Sequence, residues 1–141
     1  MIYVVSFIVV LGILIFVHEF GHFLVARLLG IEVQKFSLGF GPKLAGFERG
    51  GTEYLVSAIP FGGYVKLLGE SPEEEVDPGK ESRSFSHRPP LHKLLVVLAG
   101  PGFNIVFAAF VFWFLFMAGM PVLKPVVGEV LKGTPAERAG I

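Results

Sequence analysis

The chain has 141 residues, enough for one ordinary domain. Hydrophobic residues make up 52% of it, charged residues 17%, and the mean hydropathy is +0.66, a balance that suits lipid better than water. The formal net charge is zero and cysteine is absent, which excludes disulfides, thiolate metal sites and thiol nucleophiles and gives no electrostatic reason to expect nucleic acid as a partner.

The first predicted element is a transmembrane helix over residues 1–29, beginning MIYVVSFIVVLGILIF. Such a helix is about 40 Å long, enough to cross a hydrocarbon core of about 30 Å. No basic residue precedes the apolar run, so we expect the segment to be retained rather than cleaved as a signal peptide. Four titratable residues interrupt it, namely His18, Glu19, His22 and Arg27.

Residues 30–93 form a predicted polar loop between two apolar segments. The positive-inside rule places this loop in the cytosol and both ends of the chain outside, because most basic residues lie in the loop: Lys35, Lys43, Arg49, Lys66, Lys80, Arg83, Arg88 and Lys93.

Within the loop, alternating polar and apolar residues predict three short strands, over residues 32–38, 52–59 and 64–68. The glycine- and proline-rich stretches 39–42 and 60–63 separate them. We therefore expect a small sheet or hairpin beside the membrane. Residues 70–88 have the composition of a solvated or disordered connector.

The second predicted transmembrane helix covers residues 94–122. Pro101 near its start is expected to kink it, and Trp113 with the neighbouring Phe residues is expected to face lipid. In the tail, residues 123–141, a strand is predicted over 125–130 and a capping signal at Thr134 opens a helix. About twenty residues cannot bury a core alone, so we expect the tail to be the start of an extramembrane domain.

The motif that indicates chemistry is H-E-x-x-H in the first span, formed by His18, Glu19 and His22. On a helix, positions i and i+4 share a face, so both imidazoles can bind one Zn²⁺ ion while Glu19 acts as a base. Ionisable groups within a membrane span are costly and therefore indicate function. The alternative is that the two histidines only form hydrogen bonds between helices. Gly21 predicts close helix packing in either case.

Asn104 is an unusual polar residue in the second span. It lies about 15 Å from the cytosolic interface if the span begins at Leu94, and His18 lies about 13 Å from Arg27. The two residues therefore fall at similar depth. Asn104 is predicted either to orient substrate or stabilise an oxyanion, or to form an interhelical hydrogen bond that helps build the site.

A zinc ion held by two histidines needs a third protein ligand. Asp77 and the glutamates of the loop lie in the polar part of the chain, and His87 and His92 are expected at the surface near the membrane. We expect none of them to reach the motif, and the third ligand to lie outside these 141 residues.

Four motifs together resemble the site-2 protease family of intramembrane zinc metalloproteases. They occur over the whole chain in the family's order: HEFGH in the first span, GFGP at 39–42, GGYVKL at 62–67 and AGPGFN at 99–104. The resemblance is to the bacterial branch typified by the regulator-of-sigma-E protease.

The resemblance implies a zinc endopeptidase in which His18 and His22 bind the metal and Glu19 is the catalytic base. Gly100 and Asn104 match the family's G-x-x-x-N motif. The loop, including Gly62, Gly63 and Tyr64, matches a membrane-associated β region that presents an edge strand to the substrate.

The resemblance also implies single-span membrane proteins as substrates, of the anti-sigma-factor or signal-peptide-remnant type, and the bacterial inner membrane as the location. Residues 123–141 resemble the opening of the family's PDZ domain. The family's third zinc ligand is an aspartate in an L-D-G motif on a later helix. No such motif occurs here, so this chain alone is expected to be inactive.

Two alternatives stay open. A non-catalytic membrane scaffold or metal-binding module would keep the fold without turnover. A transporter half, with a broken second helix forming an ion site, leaves HEFGH and the sheet-like loop unexplained.

Overall fold

The computed structural model describes residues 1–71, 73–119, 128 and 131–140. The chain divides into two compact units, residues 1–110 and 111–141. The elements in chain order are α1 (Ile2–Leu28), β1 (Val33–Arg49), β2 (Thr52–Leu67), a 3-10 helix (Glu81–Arg83), α2 (Pro90–Ala118) and α3 (Pro135–Arg138).

Helices α1 and α2 have 27 and 29 residues, and both are long and apolar enough to cross a membrane. This confirms the prediction of two spanning-length apolar helices. Helix α2 begins at Pro90, before the predicted start at 94, because proline is well suited to a first helical turn, where its missing N–H has no partner to lose. The helix continues through Pro101; the kink stays a prediction.

Strands β1 and β2 form one antiparallel sheet, which confirms the predicted hairpin or small sheet. Residues 43–49 lie opposite residues 52–57. Residues 33–38 lie opposite residues 63–67 and also pair with residues 52–56. Residues 33–38 are therefore in the middle of the sheet, and residues 63–67 form an edge within the part of the chain that the structure describes.

The strands are longer than the sequence predicts. Three separate strands were expected, with breaks at the two glycine-rich stretches, whereas β1 continues through residues 39–42 and β2 through residues 60–63. Gly39 and Gly62 have φ values of +89° and +124°, which a side chain would disfavour. Glycine therefore lets each strand bend at these points instead of ending.

The buried core lies where the end of α1, the sheet and the start of α2 meet. None of its members is more than 4% exposed, so this junction fixes the start of α2 against α1. Arg88 strengthens the junction, since its Nη2 donates to the carbonyl of Gly30 just after α1, at 2.6 Å. The core residues are Ala26, Ile31, Val33, Leu67 and Val96.

The connector over residues 70–88 is more ordered than its composition predicts. The N–H of Glu32 donates to the carbonyl of Arg83 at 2.9 Å, and that of Phe85 to the carbonyl of Leu68 at 2.8 Å. Ser84 between them is fully buried. These bonds attach the second half of the connector to the ends of the two strands, which the polar composition did not reveal.

In the second unit, α3 begins as the sequence predicts. The side chain of Thr134 accepts from the N–H of Glu137 at 3.5 Å and caps the helix. The strand predicted over residues 125–130 lies outside the described residues, apart from Gly128.

Candidate metal centre

His18 and His22 face each other one turn apart on α1. Their Nε2 atoms are 3.2 Å apart, and both rings are partly buried. Two nitrogens bound to one tetrahedral zinc at 2.0–2.1 Å are separated by about 3.3 Å. The observed separation therefore suits two ligands of a single zinc ion.

The orientation of His22 is set by the backbone of α2. Its Nδ1 lies 2.7 Å from the carbonyl oxygen of Val96. A carbonyl only accepts, so Nδ1 carries the proton and donates it, which leaves Nε2 of the neutral ring with a free lone pair. Metal-binding histidines are commonly held in this way, by a hydrogen bond from the other ring nitrogen.

His18 contacts a side chain of α2 instead. Its Nδ1 lies 3.4 Å from Nδ2 of Asn104, so the two polar residues predicted to share a depth are neighbours. Oδ1 of Asn104 is buried and has no hydrogen-bond partner among the described residues.

Two glycines make room for this arrangement. A Cβ on Gly100 would collide with Nε2 of His22 and would lie 2.7 Å from Nε2 of His18. A Cβ on Gly21 would lie 2.6 Å from the carbonyl oxygen of Ala99. The close approach of α1 and α2 and the space beside the imidazoles therefore both depend on missing side chains.

Glu19 is half-buried and borders two clefts. One, of about 280 Å³, is also lined by His22, Tyr64 and Glu70. The other, of about 400 Å³, is lined by His18, Asn104, Phe40, Gly62 and Gly63 among others. The carboxylate of Glu19 is thus next to the imidazoles and reachable from open space, as a base that acts on a small molecule such as water requires.

The edge segment of β2 passes directly beside Glu19. A Cβ on Gly63 would lie 3.0 Å from Cγ of Glu19 and 2.8 Å from the carbonyl oxygen of Ser37. Gly62 is covered by the ring of Phe40, which stacks on Tyr64 with centroids 6.2 Å apart. The structure therefore brings Gly62, Gly63 and Tyr64 to the same place as the motif in α1.

Three features of this site were missed in the sequence. Glu70 lines the cleft beside His22, although the composition of residues 70–88 predicted a solvated connector there. The Val96 carbonyl and the Phe40 ring were also not singled out. Phe40 could have been found from its position in the glycine-rich stretch, whereas no sequence pattern reveals the direction of one carbonyl.

Within the described residues, no group of three or more His, Cys, Asp or Glu side chains could hold a metal ion. Asp77 pairs with Lys80 at 3.4 Å. The donors that converge at the site are therefore the two imidazoles, with the glutamate beside them.

The fold and the site together define a protein with two helices long and apolar enough to span a membrane and a two-histidine candidate metal centre between them. The chain matches the model of peptidase family M50 over residues 6–135. It belongs to this family, the site-2 protease family, which confirms the resemblance seen in the sequence.

Individual relatives agree with this assignment. The chain is 46% identical over 140 residues to a Vibrio cholerae protein named as a zinc metalloprotease, covering 97% of this chain and 30% of the relative. It is 46% identical over 137 residues to "Protease RseP" of Yersinia pestis and 45% identical over 137 residues to "Regulator of sigma-E protease RseP" of Escherichia coli K12. Each of these two alignments covers 96% of this chain and 30% of the relative. The chain thus spans about a third of the length of these relatives.

Proposed function

We propose that this protein is an intramembrane zinc metalloendopeptidase that hydrolyses peptide bonds of single-span membrane proteins. The observation that supports this most directly is the 3.2 Å separation of the two Nε2 atoms beside Glu19, in a space that Gly100 keeps clear. Family membership and the relatives' names agree with it.

His18 and His22 would hold the zinc ion, which when bound supplies a Lewis acid that activates water. Glu19 would take a proton from the attacking water and deliver it to the leaving amine. We assign the third ligand to an aspartate of a later helix, as the resemblance implies. The chain alone would then bind zinc weakly and be inactive.

The substrate would bind as an extended strand. Residues 63–67 form a sheet edge, and Gly63 places that edge next to Glu19. An added strand binds mainly through backbone hydrogen bonds, so little is demanded of the substrate sequence. Gly63 keeps the strand beside Glu19 free of a side chain, and Gly62 makes room for the ring of Phe40. Tyr64 borders the cleft on the side of His22.

We further propose that the protein lies in the bacterial inner membrane, with residues 30–93 in the cytosol and both ends outside, as the basic residues of the loop indicate. Residues 123–141 would begin a PDZ domain. Substrates of the anti-sigma-factor or signal-peptide-remnant type are those that the resemblance to the family implies.

The test uses a version of the protein extended to the length of its relatives, reconstituted in vesicles with a single-span substrate. Glu19→Gln should abolish cleavage and keep zinc, whereas His18→Ala and His22→Ala should lose both. Normal cleavage by Glu19→Gln would overturn the assigned mechanism. Zinc binding by the unsubstituted protein without any cleavage would favour the non-catalytic scaffold.

A further inference from the structure

We propose that Asn104 is a positioning residue whose side-chain amide selects the tautomer of His18 and turns over when the metal binds. This inference rests on the proposed zinc site. The role proposed for Asn104 is to make the Nε2 lone pair of His18 available to the metal, as the Val96 carbonyl does for His22.

The two histidines are oriented by different kinds of group. His22 has a backbone carbonyl as its partner, at 2.7 Å, so the neutral ring carries its proton on Nδ1 and its Nε2 is an acceptor. His18 has the amide of Asn104 as its partner, at 3.4 Å. An amide can either donate or accept, and therefore permits both tautomers of His18.

With Nδ2 of Asn104 directed at His18, the amide begins a continuous chain of hydrogen bonds. Nδ2 of Asn104 donates to Nδ1 of His18, so the proton of the neutral His18 ring is on Nε2. That N–H then donates to the free Nε2 of His22, 3.2 Å away. The chain ends at the carbonyl of Val96. The 3.2 Å separation suits two zinc ligands as well as this hydrogen bond. Because the hydrogen bond occupies both Nε2 atoms, we assign the hydrogen-bonded arrangement to the metal-free state.

The same chain leaves one buried atom unsatisfied. Oδ1 of Asn104 has no hydrogen-bond partner among the residues that the structure describes, and a buried polar atom without a partner is costly. The oxygen and nitrogen of an amide have nearly the same shape. Turning the amide over places Oδ1 at His18, where it accepts from Nδ1–H and leaves Nε2 of His18 free for the metal. Nδ2 then takes the position without a partner, so the amide has one partner among the described residues in either orientation, and metal binding supplies the preference for the second.

The amide orientation and the metal are therefore coupled. With Nδ2 toward His18 the two imidazoles bind each other, and with Oδ1 toward His18 they are both ready to bind zinc. Removing the acceptor should weaken zinc binding about 10- to 100-fold, the usual effect of losing a group that orients a ligand.

Three substitutions separate this role from packing, measured in the extended protein by zinc competition against a chelator. Asn104→Leu keeps the size and removes the acceptor, and it should weaken binding by about that 10- to 100-fold factor. Asn104→Asp keeps an acceptor and should lose much less zinc affinity than Asn104→Leu. Ile105→Leu, at an exposed neighbouring position, should change nothing. Helical content by circular dichroism verifies folding.

A second measurement does not depend on affinity. Histidine ¹⁵N NMR should find Nδ1 of His18 unprotonated without metal and protonated with zinc, whereas in Asn104→Asp it should be protonated in both states. Wild-type affinity in Asn104→Leu, or a protonated Nδ1 of His18 in both states of the unsubstituted protein, would overturn the proposal. Undiminished zinc affinity in His18→Ala would instead overturn the zinc site itself.

Discussion

Two regions of the first unit both contain many apolar residues but are built differently. The site region, comprising residues 18–26 of α1 and 96–104 of α2, consists of closely packed backbones with polar side chains between them. The outer hairpin, residues 40–61, exposes large apolar side chains, namely Phe40, Leu44, Phe47, Val56, Ile59 and Phe61.

The two regions show where polar side chains can be placed among apolar ones. In the site region, glycines let α1 and α2 approach until a histidine on one helix reaches a carbonyl on the other. In the outer hairpin the ion pair of Lys43 and Glu53 is largely exposed. The buried hydrogen bonds of the site region should be strong and sensitive to small changes in packing, and the exposed ion pair of the outer hairpin should be weak.

The largest effect is expected at Gly100. In Gly100→Ala the new Cβ would collide with the His22 ring and crowd the His18 ring, so zinc affinity should fall by about 100-fold. Gly102→Ala is the matched control, because a Cβ there meets nothing within 4 Å. Equal zinc affinities for the two variants in a competition titration would show that the space beside the imidazoles is not needed.

A smaller effect is expected where α1 packs on α2. Gly21→Leu forces a side chain against the Ala99 carbonyl and Phe103, and overpacking of this kind costs about 1–3 kcal/mol. Gly12→Leu on the same helix gives the control, since a Cβ at Gly12 has no neighbour within 4 Å. Unfolding in detergent mixtures, followed by circular dichroism, should show a lower midpoint for Gly21→Leu alone. A similar loss at Gly12 would mean that helix composition, not packing, sets stability.

The sequence predicted the parts of the fold that depend on local periodicity. Two spanning-length helices follow from hydropathy, and the i, i+4 spacing places His18 and His22 on one face. The estimate of depth also placed Asn104 level with His18, and their side chains lie 3.4 Å apart.

The parts that escaped prediction depend on tertiary contacts. Whether a glycine ends a strand or bends it depends on the partner strand, so the continuous β1 and β2 were not foreseen at Gly39 and Gly62. The carbonyl of Val96 orients His22 only because α2 packs at this height on α1. Glu70 likewise reaches the cleft through the fold, since nothing in its local sequence points there.

An effect of intermediate size is expected at Thr52, which connects the outer hairpin to the middle of the sheet. The hydroxyl of Thr52, fully buried, donates to the carbonyl of Val33 at 2.7 Å. Thr52→Val should reduce the free energy of unfolding by about 1 kcal/mol, because it removes a buried hydrogen bond at constant shape. Thr52→Ser, which keeps the hydroxyl, should retain most of that free energy of unfolding. A larger loss in Thr52→Ser than in Thr52→Val would instead assign the effect to packing of the methyl group.

The smallest effect is expected at the exposed pair of the outer hairpin. The hydrogen bond from Lys43, at 2.6 Å, lowers the pKa of Glu53 below its ordinary value of about 4.5. Because the folded state favours the charged form, the pair stabilises fully at pH values above 4.5 and loses its contribution as the pH falls through the lowered pKa. Lys35 also pairs with Glu53, at 3.6 Å. The difference in unfolding midpoint between the unsubstituted chain and Glu53→Gln should thus be small at pH 6, shrink further at pH 3, and vanish when Lys35 and Lys43 are both replaced by Met. A difference that grew on acidification, or that survived without both lysines, would show that Glu53 acts through the packed part of the sheet and that the two regions are less distinct than proposed.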